Sequence, residues 1–176
     1  MNKIFICLLF QLLVDVGSRE PNCDDDWEDG SKVDLGKLWF ETSEKLTYSE
    51  AVTFCENRNS QLIEIDSPEQ WAFVNNKLKS ISSGDVEWTQ WQWEKTLYYR
   101  GWWAGATDEA EEGTWVWTES GNPVGNFTWG DGQPDNSRGS ENYFSLIIWR
   151  NWDSLDYQGQ DVNGFIKLYP LCQQKR

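Results

Sequence analysis

The spacing of hydrophobic residues predicts two helices in the first half of the chain. Thr47 precedes an apolar stripe, and Glu50 lies three residues after Thr47. This is the spacing of a capping box at a helix N-terminus. Ser67 and Gln70 repeat that spacing before a second stripe. A cluster of helix-breaking residues over 80–85 predicts where the second helix ends. The residues expected on the buried faces are Ala51, Val52, Phe54 and Cys55 in the first helix and Trp71, Val74 and Leu78 in the second.

From residue 88 onward the pattern changes to short aromatic segments divided by Gly, Asn and Asp, which is typical of strands and turns. Helices come first and short strands later, so the pattern predicts an α+β fold and not a chain of βαβ units. The predicted strands lie at 38–40, 102–106, 114–118, 143–149 and 165–171, with a strand or tight connection at 61–65.

The first 18 residues have the pattern of a secretory signal peptide. Lys3 precedes a nearly apolar run over 4–14, and Val16 and Ser18 have the spacing of a cleavage site after Ser18. The run is too short to span a bilayer comfortably, and the alternative is an uncleaved anchor. We therefore expect a secreted, extracellular chain without membrane insertion, which starts with an acidic segment over 19–37 that is a solvated tail or an edge hairpin.

Composition restricts the chemistry of this single domain. The 176 residues include 15 basic and 29 acidic side chains, for a formal net charge of −14. Nucleic acids and anionic membranes need a basic surface, so they are not expected partners. The chain has no histidine, which excludes histidine-based catalytic triads and histidine metal sites. Acidic side chains remain suited to a hard cation such as calcium.

Cysteine usage predicts one disulfide and one unpaired thiol. Cys7 lies in the signal peptide, which leaves Cys23, Cys55 and Cys172 in an oxidising compartment. We favour the pairing of Cys55 with Cys172, whose long loop would give about 4–5 kcal/mol of stability on the chain-entropy model. Spacing alone does not fix this pairing. Cys23 would then be free or would link two chains into a disulfide-bonded dimer.

A loop-rich stretch over 113–152 collects oxygen-bearing side chains. It contains Gln133-Pro134-Asp135, Glu141-Asn142 and Trp152-Asp153. Calcium takes six to eight oxygen ligands at about 2.3–2.6 Å, and carboxylates balance its charge. The alternative is an acidic loop that is simply solvated. The candidate ligands are Gln133, Asp135, Glu141 and Asp153.

In their order and surroundings these segments resemble a C-type lectin-like domain over residues 38–173. The matching segments are Ala51-Val52-Thr53-Phe54-Cys55, Trp103-Ala104-Gly105-Ala106, the stretch 107–117, Asn126-Phe127-Thr128-Trp129, Gly132-Gln133-Pro134-Asp135-Asn136, and Cys172. The resemblance implies a C-type lectin-like domain over 38–176, with two helices, small antiparallel sheets and a long loop region.

The same resemblance implies a non-enzymatic lectin that binds sugar through calcium. Two vicinal hydroxyls would coordinate the ion held by Gln133, Asp135, Glu141 and Asp153, while the Gln133 amide donates and the Asp135 carboxylate accepts hydrogen bonds. The order Gln-Pro-Asp is similar to that of galactose-type sites. We expect glycans as partners, in innate immune or surface recognition. An auxiliary calcium site would use Asp108, Glu112, Asn136, Glu141 and Asn142.

Several positions depart from the family pattern. Tyr143 and Tyr157 stand at the positions matched to the family's inner disulfide, which suggests aromatic contact in place of the bridge. Ser154 stands where the family has a calcium-binding Asp, and no aromatic residue follows the triplet within 136–140. These departures favour an alternative, a calcium-independent lectin-like domain that binds a protein or another surface. A two-carboxylate hydrolase lacks any specific supporting pair.

Two further segments stand out near the resemblance. The segment 88–103 is rich in tryptophan and predicts an inserted hairpin whose rings cover the core, or else a platform for carbohydrate or protein. Asn126-Phe127-Thr128 is an N-glycosylation sequon close to the predicted binding loops, where an attached glycan would obstruct them.

Overall fold

Two helices and eight strands occur in the described parts of the chain, which are residues 27–82, 101–151 and 154–175 of a computed structural model. The α+β prediction is thus confirmed. In chain order the elements are β1 (Glu28–Asp29), β2 (Lys37–Phe40), α1 (Tyr48–Glu56), β3 (Ser60–Leu62), α2 (Pro68–Ser82), β4 (Gly101–Thr107), β5 (Val116–Trp117), β6 (Tyr143–Asn151), β7 (Ser154–Val162) and β8 (Tyr169–Gln174).

The predicted capping residues begin both helices. The Thr47 N–H donates to the Glu50 carboxylate at 2.9 Å, and the Gln70 N–H donates to the Ser67 hydroxyl at 3.2 Å. Helix α2 extends to Ser82, which lies within the breaker cluster over 80–85 that predicts its end. Ser80 is accommodated there by donating its hydroxyl hydrogen to the Lys77 carbonyl, within the helix itself. The buried residues are Tyr48, Ala51 and Cys55 in α1 and Gln70, Val74, Leu78 and Ser82 in α2.

The strands pair in the order β1-β2-β8-β4-β6-β7, with β3 also on β8 and β5 also on β4. All of these pairs are antiparallel except β4 with β8, so the sheet is mixed and not purely antiparallel as predicted. Leu35 lies between β1 and β2, which pair as a hairpin, and it is 1% exposed. The sheet therefore includes residues upstream of the predicted boundary at 38.

The strand predictions near the C-terminus are confirmed only in part, since β8 contains residues 169–171 of the predicted strand 165–171. The start of the predicted strand 165–171 is a turn, in which the Phe165 N–H donates to the Asn163 side chain at 3.0 Å, and Phe165 is 88% exposed. Strand β7 was not predicted, because its sequence is mostly polar and carries Gly159 in its middle. The predicted strand 114–118 shortens to Val116–Trp117.

Buried tryptophans and one disulfide hold the helices to the sheet. Cys55 on α1 and Cys172 on β8 are bonded, which is the pairing favoured from the sequence. Trp102 and Trp103 are 2% and 0% exposed, and their indole N–H groups donate to the carbonyls of Glu41 and Leu46. These two rings therefore belong to the core and not to a surface platform. Cys23 and residues 83–100 of the tryptophan-rich segment lie outside the described residues.

The aromatic contact expected between Tyr143 and Tyr157 is not formed. Tyr143 pairs with Val162 at one end of the β6–β7 ladder, whereas Tyr157 pairs with Ile148, five rungs away. The Tyr143 ring packs on Tyr48 with centroids 4.3 Å apart, and the Tyr157 ring packs on Trp102 with centroids 5.3 Å apart.

Gly164 lies against the ring of Tyr143. A Cβ atom placed on Gly164 would lie 2.6 Å from Cε2 of Tyr143. An aromatic ring against a glycine therefore occupies the place where the resemblance predicts two facing tyrosines.

Within residues 27–82, 101–151 and 154–175, neither helix has the length and apolar character that a membrane crossing requires.

Candidate functional site

Three carboxylates converge where the Gln-Pro-Asp loop meets strand β7. One oxygen from each of Asp135, Glu141 and Asp161 lies within 4.8 Å of the others. Asp161 is 3% exposed, Glu141 is half-buried and Asp135 is exposed, so the group opens to solvent on the side of Asp135. We call these three residues the carboxylate cluster.

Backbone hydrogen bonds fix the loop around the carboxylate cluster. Asp161 accepts from the N–H groups of Asp135 at 3.1 Å and Asn136 at 2.6 Å, which ties the loop to β7. The Ser137 N–H donates to Glu141 at 2.9 Å, and the Glu141 N–H donates to the Asn136 side-chain oxygen at 3.2 Å. These main-chain contacts therefore hold the three carboxylates close together.

The carboxylate cluster is short of positive charge. Burial raises the pKa of the Glu141 carboxyl above its usual value, and the negative charges of Asp161 and Asp135 add to the rise. Burial also raises the pKa of Asp161, although the N–H groups of Asn136 and Asp135 oppose the rise. None of the ion pairs between described side chains involves these three residues. A divalent cation would relieve this repulsion.

Amide side chains on the Gln-Pro-Asp loop and on β7 have unsatisfied polar atoms. The Oε1 atom of Gln133 is buried and has no hydrogen-bond partner, and the Gln133–Pro134 peptide bond is cis. On β7, Oε1 of Gln158 and Nε2 of Gln160 are likewise buried without partners. Buried polar atoms are rarely left unpaired in proteins. Three carboxylates and an unpaired amide oxygen form a donor set that fits calcium, which prefers oxygen ligands and carboxylate charge.

The fourth predicted ligand, Asp153, lies outside the described residues, and Asp161 was not predicted. In the resemblance, the inner cysteine lies three positions after the last residue of the metal-binding triplet, as Tyr157 lies after Ser154. Counting back three residues from Gly164, which faces Tyr143, gives Asp161. The sequence contained a signal for this assignment. Ser154 and Tyr157 both differ from the residues that the family has at those positions, which argues against aligning residues 152–154 with the metal-binding triplet.

The predicted auxiliary site is brought together only in part. Asp108 is 3% exposed, and its Oδ2 atom accepts from the Gly113 N–H at 2.8 Å while Oδ1 is buried without a partner. The Asn142 carbonyl accepts from the Thr107 hydroxyl at 2.7 Å. Glu112 is exposed and Asn136 supports Glu141 by hydrogen bonding.

Close backbone contact positions the loop that leads to Gln133. The Gly130 N–H donates to the Gly159 carbonyl at 3.0 Å. A Cβ atom on Gly159 would lie 2.5 Å from Cζ of Phe144 and 2.6 Å from the carbonyl oxygen of Thr128. Only glycine therefore allows the loop and β7 to approach this closely.

Replacing Gly159 by Ala should destabilise the domain by about 1–3 kcal/mol, because the new methyl group overpacks a buried ring and a backbone carbonyl. Thermal unfolding followed by tryptophan fluorescence measures the change. Ser137→Ala, at an exposed loop position, is the control. Equal melting temperatures for Gly159→Ala and the wild type would contradict the close approach.

Comparison with known proteins agrees with this geometry. The family model described as Lectin C-type domain matches residues 44–173. C-type lectin domain family 4 member F from Mus musculus is 28% identical over 126 residues, covering 68% of this chain and 19% of the relative. Salivary C-type lectin 2 from Aedes albopictus is 26% identical over 148 residues, covering 82% of this chain and 88% of the relative. The chain thus spans about a fifth of the first relative and most of the second.

A solved structure supports the same fold. The crystal structure of the C-type lectin CEL-I from Cucumaria echinata superimposes with a TM-score of 0.63 at 23% identity, covering 87% of this chain and 97% of that one. C-type lectin domains generally bind calcium, and the carboxylate cluster is compatible with such an ion. The match over residues 44–173 shows that the chain belongs to the C-type lectin domain family, whose members are non-enzymatic carbohydrate-binding proteins.

Proposed function

We propose that this chain binds glycans through a calcium ion held by Asp135, Glu141 and Asp161, with the Gln133 amide oxygen as a further ligand. The convergence of the three carboxylates within 4.8 Å carries this proposal. Asp161 supplies the strand carboxylate that was expected from Asp153, at the triplet position where the sequence resemblance had placed Ser154. Asp108, with its unpaired buried oxygen, is the best-placed member of an auxiliary site with Glu112, Asn136 and Asn142.

Two of the proposed ligand residues, Gln133 and Asp135, have a second task toward the sugar. A bound calcium ion would supply coordination positions for two vicinal sugar hydroxyls. The Gln133 amide has an NH₂ group that donates to one hydroxyl oxygen, and the exposed Asp135 carboxylate accepts from the other hydroxyl. Asp161 is buried and already binds two backbone N–H groups, so it holds the loop and contributes charge without contacting sugar.

The order Gln-Pro-Asp supports galactose-type sugars as the ligand class, because it sets which of the two side chains donates and which accepts.

Secretion is proposed from the signal-peptide pattern of residues 1–18, and one relative is named as a salivary lectin. A secreted chain would acquire an N-linked glycan at Asn126, which is exposed. A disulfide-linked dimer through Cys23 follows from the odd number of cysteines in the mature chain. Recognition of microbial or host surfaces is the role proposed for such a protein.

Removal of calcium tests the proposed function directly. The protein should be retained on a galactose resin in millimolar calcium and released by EDTA, with a mannose resin in parallel. Asp135→Ala should weaken retention at least about tenfold, since it removes both a cation ligand and a hydroxyl acceptor. Glu69→Ala, which removes an exposed carboxylate at the start of α2, should leave retention unchanged.

Two results would replace this function by the alternative. Calorimetry without calcium uptake at millimolar concentration, or retention that persists in EDTA, would indicate a calcium-independent lectin-like domain that binds protein or another surface.

A further inference from the structure

A groove with a volume of about 590 Å³ adjoins the Gln-Pro-Asp loop. Its lining includes Gly113 and Thr114 and the segment 131–134. Ligand pockets usually measure about 300–1,000 Å³, so the groove is large enough for a sugar residue.

The floor of the groove is aromatic and firmly held. The rings of Trp115 and Trp129 meet edge to face with centroids 4.9 Å apart, and Trp129 packs in turn on Phe144 at 4.8 Å. Trp115 is 7% exposed and Trp129 is half-buried, so Trp129 presents more of its surface to the groove. An indole face is suited to the C–H groups on the apolar face of a hexose.

The rim of the groove is polar. Thr114, Asn126 and Asp131 are exposed and line it with a hydroxyl, an amide and a carboxylate. These are the donors and acceptors that orient a ligand above an apolar floor. Asp131 adds negative charge beside the carboxylate cluster, in a protein of net charge −14, which disfavours acidic sugars.

The groove shares a loop with the proposed calcium site. Gln133 and Pro134 line its wall, and the next residue, Asp135, belongs to the carboxylate cluster. A sugar bound at the carboxylate cluster would therefore have its neighbour in the chain directed along this wall.

We propose that the groove is a second subsite, which holds the neutral sugar residue adjacent to the calcium-bound sugar of an oligosaccharide. The inference rests on the proposed function, which supplies the first sugar. It adds that the chain distinguishes oligosaccharides from single sugars by stacking on Trp129 and by hydrogen bonds to the rim.

The test compares single sugars with short oligosaccharides. Calorimetry in calcium uses methyl β-galactoside and neutral galactose-ended trisaccharides of several linkages, with mannose-ended counterparts. All proteins carry Asn126→Gln, which keeps the amide but prevents an attached glycan from filling the groove. At least one neutral trisaccharide should bind about tenfold more tightly than its single sugar.

Variants of the groove test whether the gain in trisaccharide affinity arises there. Thr114→Trp fills the groove and should abolish the gain while leaving single-sugar affinity unchanged, because Thr114 is outside the carboxylate cluster. Thr53→Trp, at an exposed hydroxyl on α1, is the matched control. Asp131→Asn should improve binding of a sialylated trisaccharide relative to its neutral counterpart.

The outcomes separate the two proposals. Calcium-dependent binding of single sugars without any trisaccharide gain overturns the subsite and retains the proposed function. A gain that persists in Thr114→Trp also overturns the subsite. Absence of calcium-dependent binding for every sugar overturns both.

Discussion

Asp161→Asn should reduce calcium affinity by about a hundredfold and remove calcium-dependent sugar retention, because calcium affinity depends steeply on the number of charged ligands. Asp161 is the most buried carboxylate of the cluster, so its charge is the least screened by solvent. In the wild type, the Asp161 carboxylate accepts hydrogen bonds from the N–H groups of Asp135 and Asn136. The substitution places an NH₂ group near these two donors. Equilibrium dialysis with calcium and retention on the sugar resin measure the two effects.

The control for Asp161 is Asp153→Asn, which changes the ligand that the sequence resemblance predicts. We expect Asp153→Asn to bind calcium as the wild type does. Near-ultraviolet circular dichroism should be the same for both variants, since Asp161 pairs with Phe144 through the backbone of the β6–β7 ladder. Loss of binding in Asp153→Asn with full binding in Asp161→Asn would refute the assignment.

A second large effect is expected from restoring a covalent link between Tyr143 and Gly164. The double variant Tyr143→Cys/Gly164→Cys should form a disulfide that stabilises the domain by about 3 kcal/mol relative to the corresponding double serine variant, through the loop it closes. The Tyr143 ring already lies against Gly164, so the two positions are neighbours. Thiol labelling and guanidinium unfolding measure bond formation and stability.

The matched control is Tyr143→Cys/Tyr157→Cys, which joins the two positions predicted from the sequence. Five rungs separate these residues along the ladder, or about 17 Å at the rise of a strand. A disulfide needs Cα atoms within about 7 Å. This variant should therefore keep both added thiols free. A bond at 143–157 together with free thiols at 143 and 164 would contradict the register of β6 and β7.

Local signals explain why the first half of the fold could be predicted. The capping pairs Thr47–Glu50 and Ser67–Gln70 and the apolar stripes behind them depend on residues a few positions apart. The breaker residues over 80–85 act equally locally, and the described part of α2 extends to Ser82 within them.

Strand β7 and the third carboxylate could not be predicted from the hydrophobic pattern, and the two failures have a common reason. The stretch 154–162 has no clear alternation of apolar and polar residues, so nothing in the sequence marks it as a strand. Without β7, the position of Asp161 beside the Gln-Pro-Asp loop is invisible, since 26 residues separate it from Asp135. Asp135 and Glu141 could be predicted from the sequence, because both lie in one loop whose order of residues matches the family pattern.

The hydrogen bonds from the loop to Asp161 bear on the thermodynamics of ion uptake. An ionised carboxylate offers about four lone-pair positions, and two are used by the N–H groups of Asp135 and Asn136. The remaining positions are free for a cation, so the carboxylate that anchors the Gln-Pro-Asp loop to β7 can also bind the ion. Anchoring of the loop and uptake of calcium are thus linked through one side chain, and calcium should protect this loop against local opening.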